Sequence, residues 1–401
     1  MKAIIFLADG MADEPLAELN HKTPLEAAHT PGMDAIAREG QSGTFLSLPD
    51  GLPTSSDVAN MSVLGFYPEK NYPGRGPIEA MSQQIHLAPD DIAWRCNLVT
   101  VDENQVLRDY SAGHIDNEIS SILMRDLQSA LGSDKVTFHP GVSYRNLLVL
   151  HGSEFSAAID YFKPDSSQDI PVAELPLQPL NDDPATAHTI AFLEDLSRKA
   201  HDFLTAHPLY QSGKSAATDI WPWSPGHCPN LTPFAVRYGS RGAIISAVDV
   251  IKGLGKCTGM TVVDVPGATG FLDTNYEGKV EAALKAIEDH DFVYVHVEAV
   301  DECSHMGDLK LKLQAIEEFD RRIVCPIRAA LQGRKINFAI LPDHPVPIRL
   351  RQHTTTPVPV AVCGPSFAAD DVQYYSETLA PTGKLGFLKG DQLVKILLED
   401  K

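Results

Sequence analysis

Short apolar runs that end in acidic residues recur along the chain. KAIIFLADG lies near the start, and HDFVYVHVEAVD and KINFAILPDH lie late. Such a run predicts a buried parallel strand whose carboxyl end opens into a loop. TPGMDAIAREG instead predicts a helix, with Thr30 as cap, Pro31 at the first helical position and Gly40 as stop. KLKLQAIEEFDRRIVCPIRAAL carries helical apolar spacing over several turns. GAIISAVDVIKGLGK predicts a further helix and MTVVDVP a further strand. Strands alternating with helices predict an α/β fold built on a doubly wound, mostly parallel sheet. Ligands of such sheets sit at the carboxyl ends of the strands.

The middle of the chain is different. Residues 85–238 are richer in Pro, His and Asp, and AWRCNLVTVDENQVLRDYS reads as strand, turn at Glu103-Asn104, strand. LPLQPLNDDP reads as a connector. The strongest strands lie on both sides of this stretch, so it is expected to be a second α+β domain, 85–238, inserted into a core of 1–84 and 239–401. A chain of 401 residues exceeds what one hydrophobic core usually organises, which agrees with two domains.

Composition narrows the function. Hydrophobic residues at 43% and charged residues at 21% indicate a globular protein. A formal charge of −20 argues against a nucleic-acid or anionic-membrane partner, because both demand basic patches. An acidic protein that handles a phosphorylated molecule must gather positive charge locally, from metal ions or a few arginines. No stretch approaches the length of a membrane span, and the N-terminal apolar run is too short for a signal peptide. The six cysteines are scattered without a CxxC pair and are expected to be free thiols. Cytoplasmic localisation is therefore expected. The sequence carries no signal for an oligomeric state.

Four clusters stand at strand ends or in the loops that follow. They are Asp9; Ser55-Ser56-Asp57 ahead of a helical pattern; Asp301 and His305 in VEAVDECSHMGD; and Asp343, His344 and His353 in LPDHPVPIRLRQHT. Each alone has an ordinary explanation, since Asp after a strand and Ser before a helix commonly act as caps. Asp301 and His305 share one helical face, a spacing that chance also produces. Their coincidence at the carboxyl edge of one sheet is what matters. Carboxylate and imidazole donors suit Zn²⁺ or Mn²⁺. A pair of such ions lowers the pKa of a serine hydroxyl and clamps both oxygens of an in-line phosphoryl displacement.

At these residues the sequence resembles the archaeal-type cofactor-independent phosphoglycerate mutases, members of the alkaline phosphatase superfamily. FLADGMAD, TPLEAAHTPGMDAIAREG, SDVANMSVLGFYP, YPGRGPIEA, VPGATGFLDTNYEGK and DFVYVHVEA follow in the family's order and span nearly the whole chain. The resemblance implies an alkaline-phosphatase-like core with an inserted cap domain that excludes water. It implies Ser56, directly before Asp57, as the phosphorylated nucleophile. Asp9, Ser56, Asp343 and His344 would hold one divalent ion and Asp301, His305 and His353 the other; the family's ions are Mn²⁺, Zn²⁺ or Mg²⁺. Substrate contacts are expected from Arg95 and Arg145 in the inserted domain, Arg75 in YPGRGPIEA, and Lys279 near the metal face.

Departures from the family fall on the substrate side. DYSAGHI, Asp109 to Ile115, puts Tyr110 and Ser111 where the family has arginines, and IWPWSPG puts Trp221 and Trp223 where a cleft is expected. Ser304 replaces the family's usual glycine. The metal set is intact. The leading expectation is interconversion of 2- and 3-phosphoglycerate through a phosphoserine. The alternative is a phosphotransferase on homoserine or a similar hydroxy amino acid, which the IWPWSPG element resembles, with Trp223 in the acceptor pocket. A phosphatase or phosphonate hydrolase ranks third, and a non-catalytic metal-binding relative stands outside these enzyme classes. A dehydrogenase is disfavoured because DGMAD lacks the glycines that cradle a pyrophosphate.

Overall fold

The computed structural model describes residues 1–399, which divide into two compact units. One comprises Met1–Tyr72 and the chain from Asn230 onward; the other is Pro73–Pro229. The helix Arg75–Ser82 packs on the strands Ile92–Val101 and Asp219–His227, so it belongs to the second unit.

The first unit is built on an eight-stranded sheet. Its order is Thr261–Val263, Gly242–Ile245, Phe292–Val297, Lys2–Ala8, Ile336–Leu341, Val358–Cys363, Gln41–Leu46 and Gly386–Lys389. The pairings are parallel except that Val358–Cys363 runs against both its neighbours. Residues alternate between the two faces, as the pleat requires. Ile4, Phe6 and Ala8 share a core with the helices Pro31–Glu39, Tyr276–Asp289 and Leu309–Phe319. The opposite face meets the helix Gln392–Leu398 against Lys2–Ala8 and Ile336–Leu341, and the helix Ser56–Val63 through a bond from the Tyr294 hydroxyl to Asn60. Helices on both faces make the sheet doubly wound.

Parallel register sets the site. Ala8 pairs with Val297 and Leu7 with Leu341, so three central strands end level with one another. Ile4, Ile5, Phe6 and Leu7 have no exposed surface. At about 1.5–3 kcal/mol for each fully buried side chain, that strand end is fixed far more firmly than a loop could fix it.

One expected helix is corrected. Of GAIISAVDVIKGLGK, Gly242–Ile245 is a buried strand and only Asp249–Cys257 is helical. A four-residue apolar run covered on both faces has no periodicity to separate it from the helix that follows. KLKLQAIEEFDRRIVCPIRAAL is helical up to Ala330, with a π-turn at Asp320–Val324 between Leu309–Phe319 and Cys325–Ala330. The Asp320 carboxylate accepts the Gly32 and Met33 amides, fixing the start of Pro31–Glu39 where Thr30 supplies no side-chain cap.

The second unit is a mixed arrangement of antiparallel strands and helices. Ile92–Val101 pairs with Asp219–His227 and, antiparallel, with Arg145–Leu150, which pairs in turn with Val136–Val142. The helices Asn117–Leu131 and Pro184–Ala206 close its core. Among the described residues no helix is long and apolar enough to cross a membrane.

Candidate metal centre

Asp9 directly follows the strand Lys2–Ala8, and its amide donates to Val297 O at 2.9 Å. Asp301 and His305 lie on the helix Ala299–Met306, which opens at once after Phe292–Val297. Asp343 and His344 follow Ile336–Leu341. Gly10 takes φ +64°, and a Cβ there would lie 2.6 Å from Asp301 Oδ1 and 2.8 Å from its Cα. Only glycine lets the first loop pass this close to the third.

The side chains converge. His344 Nε2 lies 3.1 Å from Ser56 Oγ, 3.3 Å from Asp9 Oδ1 and 3.4 Å from Asp343 Oδ2. Asp301 Oδ2 lies 3.3 Å from His305 Nε2, and its Oδ1 lies 3.6 Å from His353 Nε2. The rings of His344 and His353 stack with centroids 3.8 Å apart, joining the two groups. All seven residues expected at the metals thus meet at one sheet edge, with Ser56 half-buried and Asp9, Asp301, Asp343 and His344 buried.

The electrostatics call for cations. Burial, then the charges of Asp343 and Asp301, hold the Asp9 carboxyl well above its usual range. Burial also pushes Asp343 up to about 7, with Asp301 adding to the rise. At Asp301 burial acts upward too, but His305, His353 and His344 outweigh it and hold the group low. Burial opposes the proton on His305, but Asp301 prevails and raises it to about 9. Asp9 Oδ1 and Asp301 Oδ1 are buried without a hydrogen-bond partner. His305 Nε2 and His353 Nε2 face each other at 2.9 Å, nitrogen to nitrogen. Buried carboxylates and opposed imidazoles of this kind suit divalent metal ions, and Asp9, Asp343 and His344, like Asp301, His344 and His353, could each hold one.

A surrounding layer orients the ligands, and no pattern singled out along the chain pointed to it. Asn60 donates to Asp343 Oδ2 at 2.7 Å and to Ser56 O at 2.8 Å, while its own oxygen accepts from the Tyr294 hydroxyl. His296 Nε2 meets Asp9 Oδ2 at 3.0 Å and its Nδ1 meets Ser246 Oγ at 3.1 Å. Burial depresses His296 to about 3, which keeps the imidazole neutral. Partners of this type fix the orientation of the ligands they touch. A signal was available: Tyr294 and His296 are two polar residues on one face of FVYVHV, and Asn60 lies one helical turn beyond Ser56. Ser304, the departure from the family's glycine, is buried and donates to Val300 O at 2.6 Å.

The residues expected at the substrate are placed differently. Lys279 is fully buried, donates to His296 O at 2.9 Å, and is lowered by burial to about 8. In the second unit, Arg95 is buried, with Nε 3.2 Å from Glu79 Oε2 and its guanidinium 4.6 Å from the Trp223 ring centre. Burial lowers its pKa to about 10. Arg75 Nε meets the other Glu79 oxygen at 2.8 Å, and Arg145 Nε donates to the Tyr144 hydroxyl at 3.2 Å. Trp223 Nε1 donates to Asn97 Oδ1 at 3.0 Å. Trp221 donates to Phe162 O at 2.9 Å, beside a cavity of about 510 Å³ within this unit.

A family model described as 2,3-bisphosphoglycerate-independent phosphoglycerate mutase matches residues 37–210. The chain is 42% identical over 406 residues to the 2,3-bisphosphoglycerate-independent phosphoglycerate mutase of Methanosarcina acetivorans, covering 100% of both. Among solved structures it is similar to a Pyrococcus horikoshii protein, with TM-score 0.83 and 27% identity, covering 100% of this chain and 98% of that one. It is also similar to the cofactor-independent phosphoglycerate mutase of Thermoplasma acidophilum, with TM-score 0.67 and 27% identity over 99% of each chain.

Proposed function

The chain belongs to the 2,3-bisphosphoglycerate-independent phosphoglycerate mutase family, and from that membership we propose that it interconverts 2- and 3-phosphoglycerate through phosphate carried on Ser56. The observation that carries the reading is the approach of Ser56 Oγ to 3.1 Å of His344 Nε2, inside the Asp9, Asp343 and His344 group. Two divalent ions, Mn²⁺ or Zn²⁺ with Mg²⁺ as the third choice, are assigned to this centre. Asp9, Ser56, Asp343 and His344 take one; Asp301, His305 and His353 take the other. When bound, the ions supply a lowered serine pKa and neutralise charge on the transferring group.

The chain's own residues do the rest. Ser56 Oγ attacks phosphorus in line, forming the Oγ–P bond as the bond to the substrate oxygen breaks. Phosphate on Ser56 sits at the first turn of the eight-residue helix Ser56–Val63, where the helix dipole favours an anion. The departing substrate oxygen takes up the proton given up by Ser56; the oxygen of glycerate's other hydroxyl then attacks phosphorus, forming the new O–P bond as the Oγ–P bond breaks, and its proton restores the serine hydroxyl. Asn60 holds both the Ser56 carbonyl and Asp343, so nucleophile and ligand keep their spacing.

For the substrate we assign Arg95, Arg145 and Arg75 to its anionic groups. Three guanidiniums around the single carboxylate Glu79 leave net positive charge in an otherwise acidic protein. Trp223, whose ring lies against Arg95, is assigned to the same substrate-binding group. Lys279, buried behind the metal face, is assigned an electrostatic role toward phosphate.

Two observations favour a second reading, phosphate transfer to homoserine or a similar hydroxy amino acid. The indole of Trp223 covers a face of Arg95, and Ser111 is turned toward Asp109 where the family has an arginine. An enolase-coupled assay with Mn²⁺ and 3-phosphoglycerate tests the mutase reading. Turnover abolished in Ser56→Ala is expected, whereas no signal above that variant would overturn it. Formation of phosphohomoserine from homoserine and ATP in place of mutase turnover would establish the second reading.

A further inference from the structure

Lys312 and Asp13 form an ion pair of 2.7 Å whose two side chains have no exposed surface. Neither is among the residues that converge on the metals. Taking a lysine and an aspartate out of water costs several kcal/mol, and a well-packed apolar pair of similar volume usually serves stability as well or better. The pair therefore calls for an explanation other than stability, and its remaining bonds supply one.

Lys312 Nζ also donates to Val346 O at 2.9 Å, and Asp13 Oδ2 also accepts the Ile348 amide at 3.1 Å. The Val346 amide in turn donates to Ala12 O at 3.1 Å. Val346 and Ile348 lie in the loop that starts at His344 and ends at His353. Lys312 lies on Leu309–Phe319, the helix immediately after the one carrying Asp301 and His305. Asp13 lies four residues beyond Asp9, and its amide is tied to Glu377 Oε1 at 3.0 Å. One buried charge pair thus links three of the four segments that bring ligands to the centre, the helix of Ser56 being the fourth.

We propose that Asp13 and Lys312 are positioning residues that hold the His344–His353 loop in register with the Asp301–His305 helix and so assemble the metal site of Asp301, His305 and His353. Asp9, Asp343 and His344 stand at or next to strand ends fixed by the sheet, so their site depends on the pair far less. His353 stands at the far end of the loop itself, nine positions beyond His344. The inference rests on the two-metal reading given above.

The test is metal binding by the full chain, freed of metal by chelation and titrated with Mn²⁺ while free ion is followed by electron paramagnetic resonance. The variant Asp13→Asn/Lys312→Met removes both charges together, so no unpaired charge remains buried. Arg349→Ala is the control, because it removes only an exposed ion pair with Glu14 at the same loop. Wild type and control are expected to bind two ions. The double variant, with a wild-type circular dichroism spectrum, is expected to keep one at wild-type affinity and to bind the second about 10- to 100-fold more weakly. Two ions at wild-type affinity in the double variant would overturn the proposal. Fewer than two in wild type would overturn the two-metal reading itself, a distinguishable result. If the double variant does not fold, Lys312→Met alone, which removes both the bond to Asp13 and the bond to Val346 O, takes its place under the same criteria.

Discussion

Gly10→Ala tests the packing of the centre without removing any ligand. Gly10 sits at φ +64°, where an L-residue costs roughly 1–2 kcal/mol. Its new methyl would lie 2.6, 2.8 and 2.9 Å from Asp301 Oδ1, Cα and Cβ. Two of those three atoms are not the end of a flexible side chain, so the clash is relieved only by moving the start of the Ala299–Met306 helix. Overpacking of this kind adds about 1–3 kcal/mol, for a total of about 2–5 kcal/mol. Gly239 has nearly the same φ, +65°, and a methyl added there would meet nothing within 4 Å. Gly239→Ala therefore carries the backbone cost alone, partly offset by about 0.4–1 kcal/mol of lost chain entropy in the unfolded state. All three tryptophans lie in the second unit, so urea unfolding is best followed by far-ultraviolet circular dichroism. Gly10→Ala is expected to lose about 1–3 kcal/mol more than Gly239→Ala, and to bind Mn²⁺ more weakly because Asp301 is displaced. Equal losses in the two variants with unchanged metal affinity would refute the reasoning.

Three further outcomes follow from the same geometry. Tyr294→Phe leaves the buried Asn60 oxygen without its donor and is expected to cost about 1–3 kcal/mol in urea unfolding while weakening metal binding; a loss below about 0.5 kcal/mol, a small change on the usual scale of such effects, would count against that bond. Glu377 is raised to about 7, chiefly by burial, so its contribution to stability is full below pH 4.5 and is lost as pH rises toward 7. With allowance for its partial exposure, metal-saturated Glu377→Gln should gain about 1–2 kcal/mol relative to wild type between those pH values, and parallel stability profiles would contradict the assignment. Arg145→Gln, if that guanidinium holds an anionic group of the substrate, should raise KM at least about tenfold with a smaller effect on kcat, and an unchanged KM removes it from the substrate site.

What could be read from the sequence depended on range. KAIIFLADG announced its strand and the loop beyond it because burial on both faces leaves an unbroken apolar run. Pro31 and Gly40 marked the ends of a helix for reasons local to the backbone. GAII was absorbed into the helix that follows because four apolar residues carry too little periodicity to be separated. The layer around the centre was harder still. The contacts of Asn60 with Asp343, of His296 with Asp9 and of His296 with Ser246 span 283, 287 and 50 positions, and the local polar spacing in FVYVHV and between Ser56 and Asn60 does not reveal those partners. The environments of Lys279 and Arg95 were equally hidden: charged residues are seldom fully buried, yet one is enclosed against His296 and the other between Glu79 and Trp223. The pair of Asp13 and Lys312, 299 positions apart, belongs to the same class.

Phosphate residing on Ser56 during turnover is the step on which the proposed function depends. Incubation of Mn²⁺-loaded protein with 3-phosphoglycerate, acid quench within the first turnovers, and peptide mapping by mass spectrometry test this directly. One phosphate on the peptide containing Ser56, absent from Ser56→Ala, is the predicted result. Turnover with no phosphate on that peptide, or with phosphate on another residue, would contradict it.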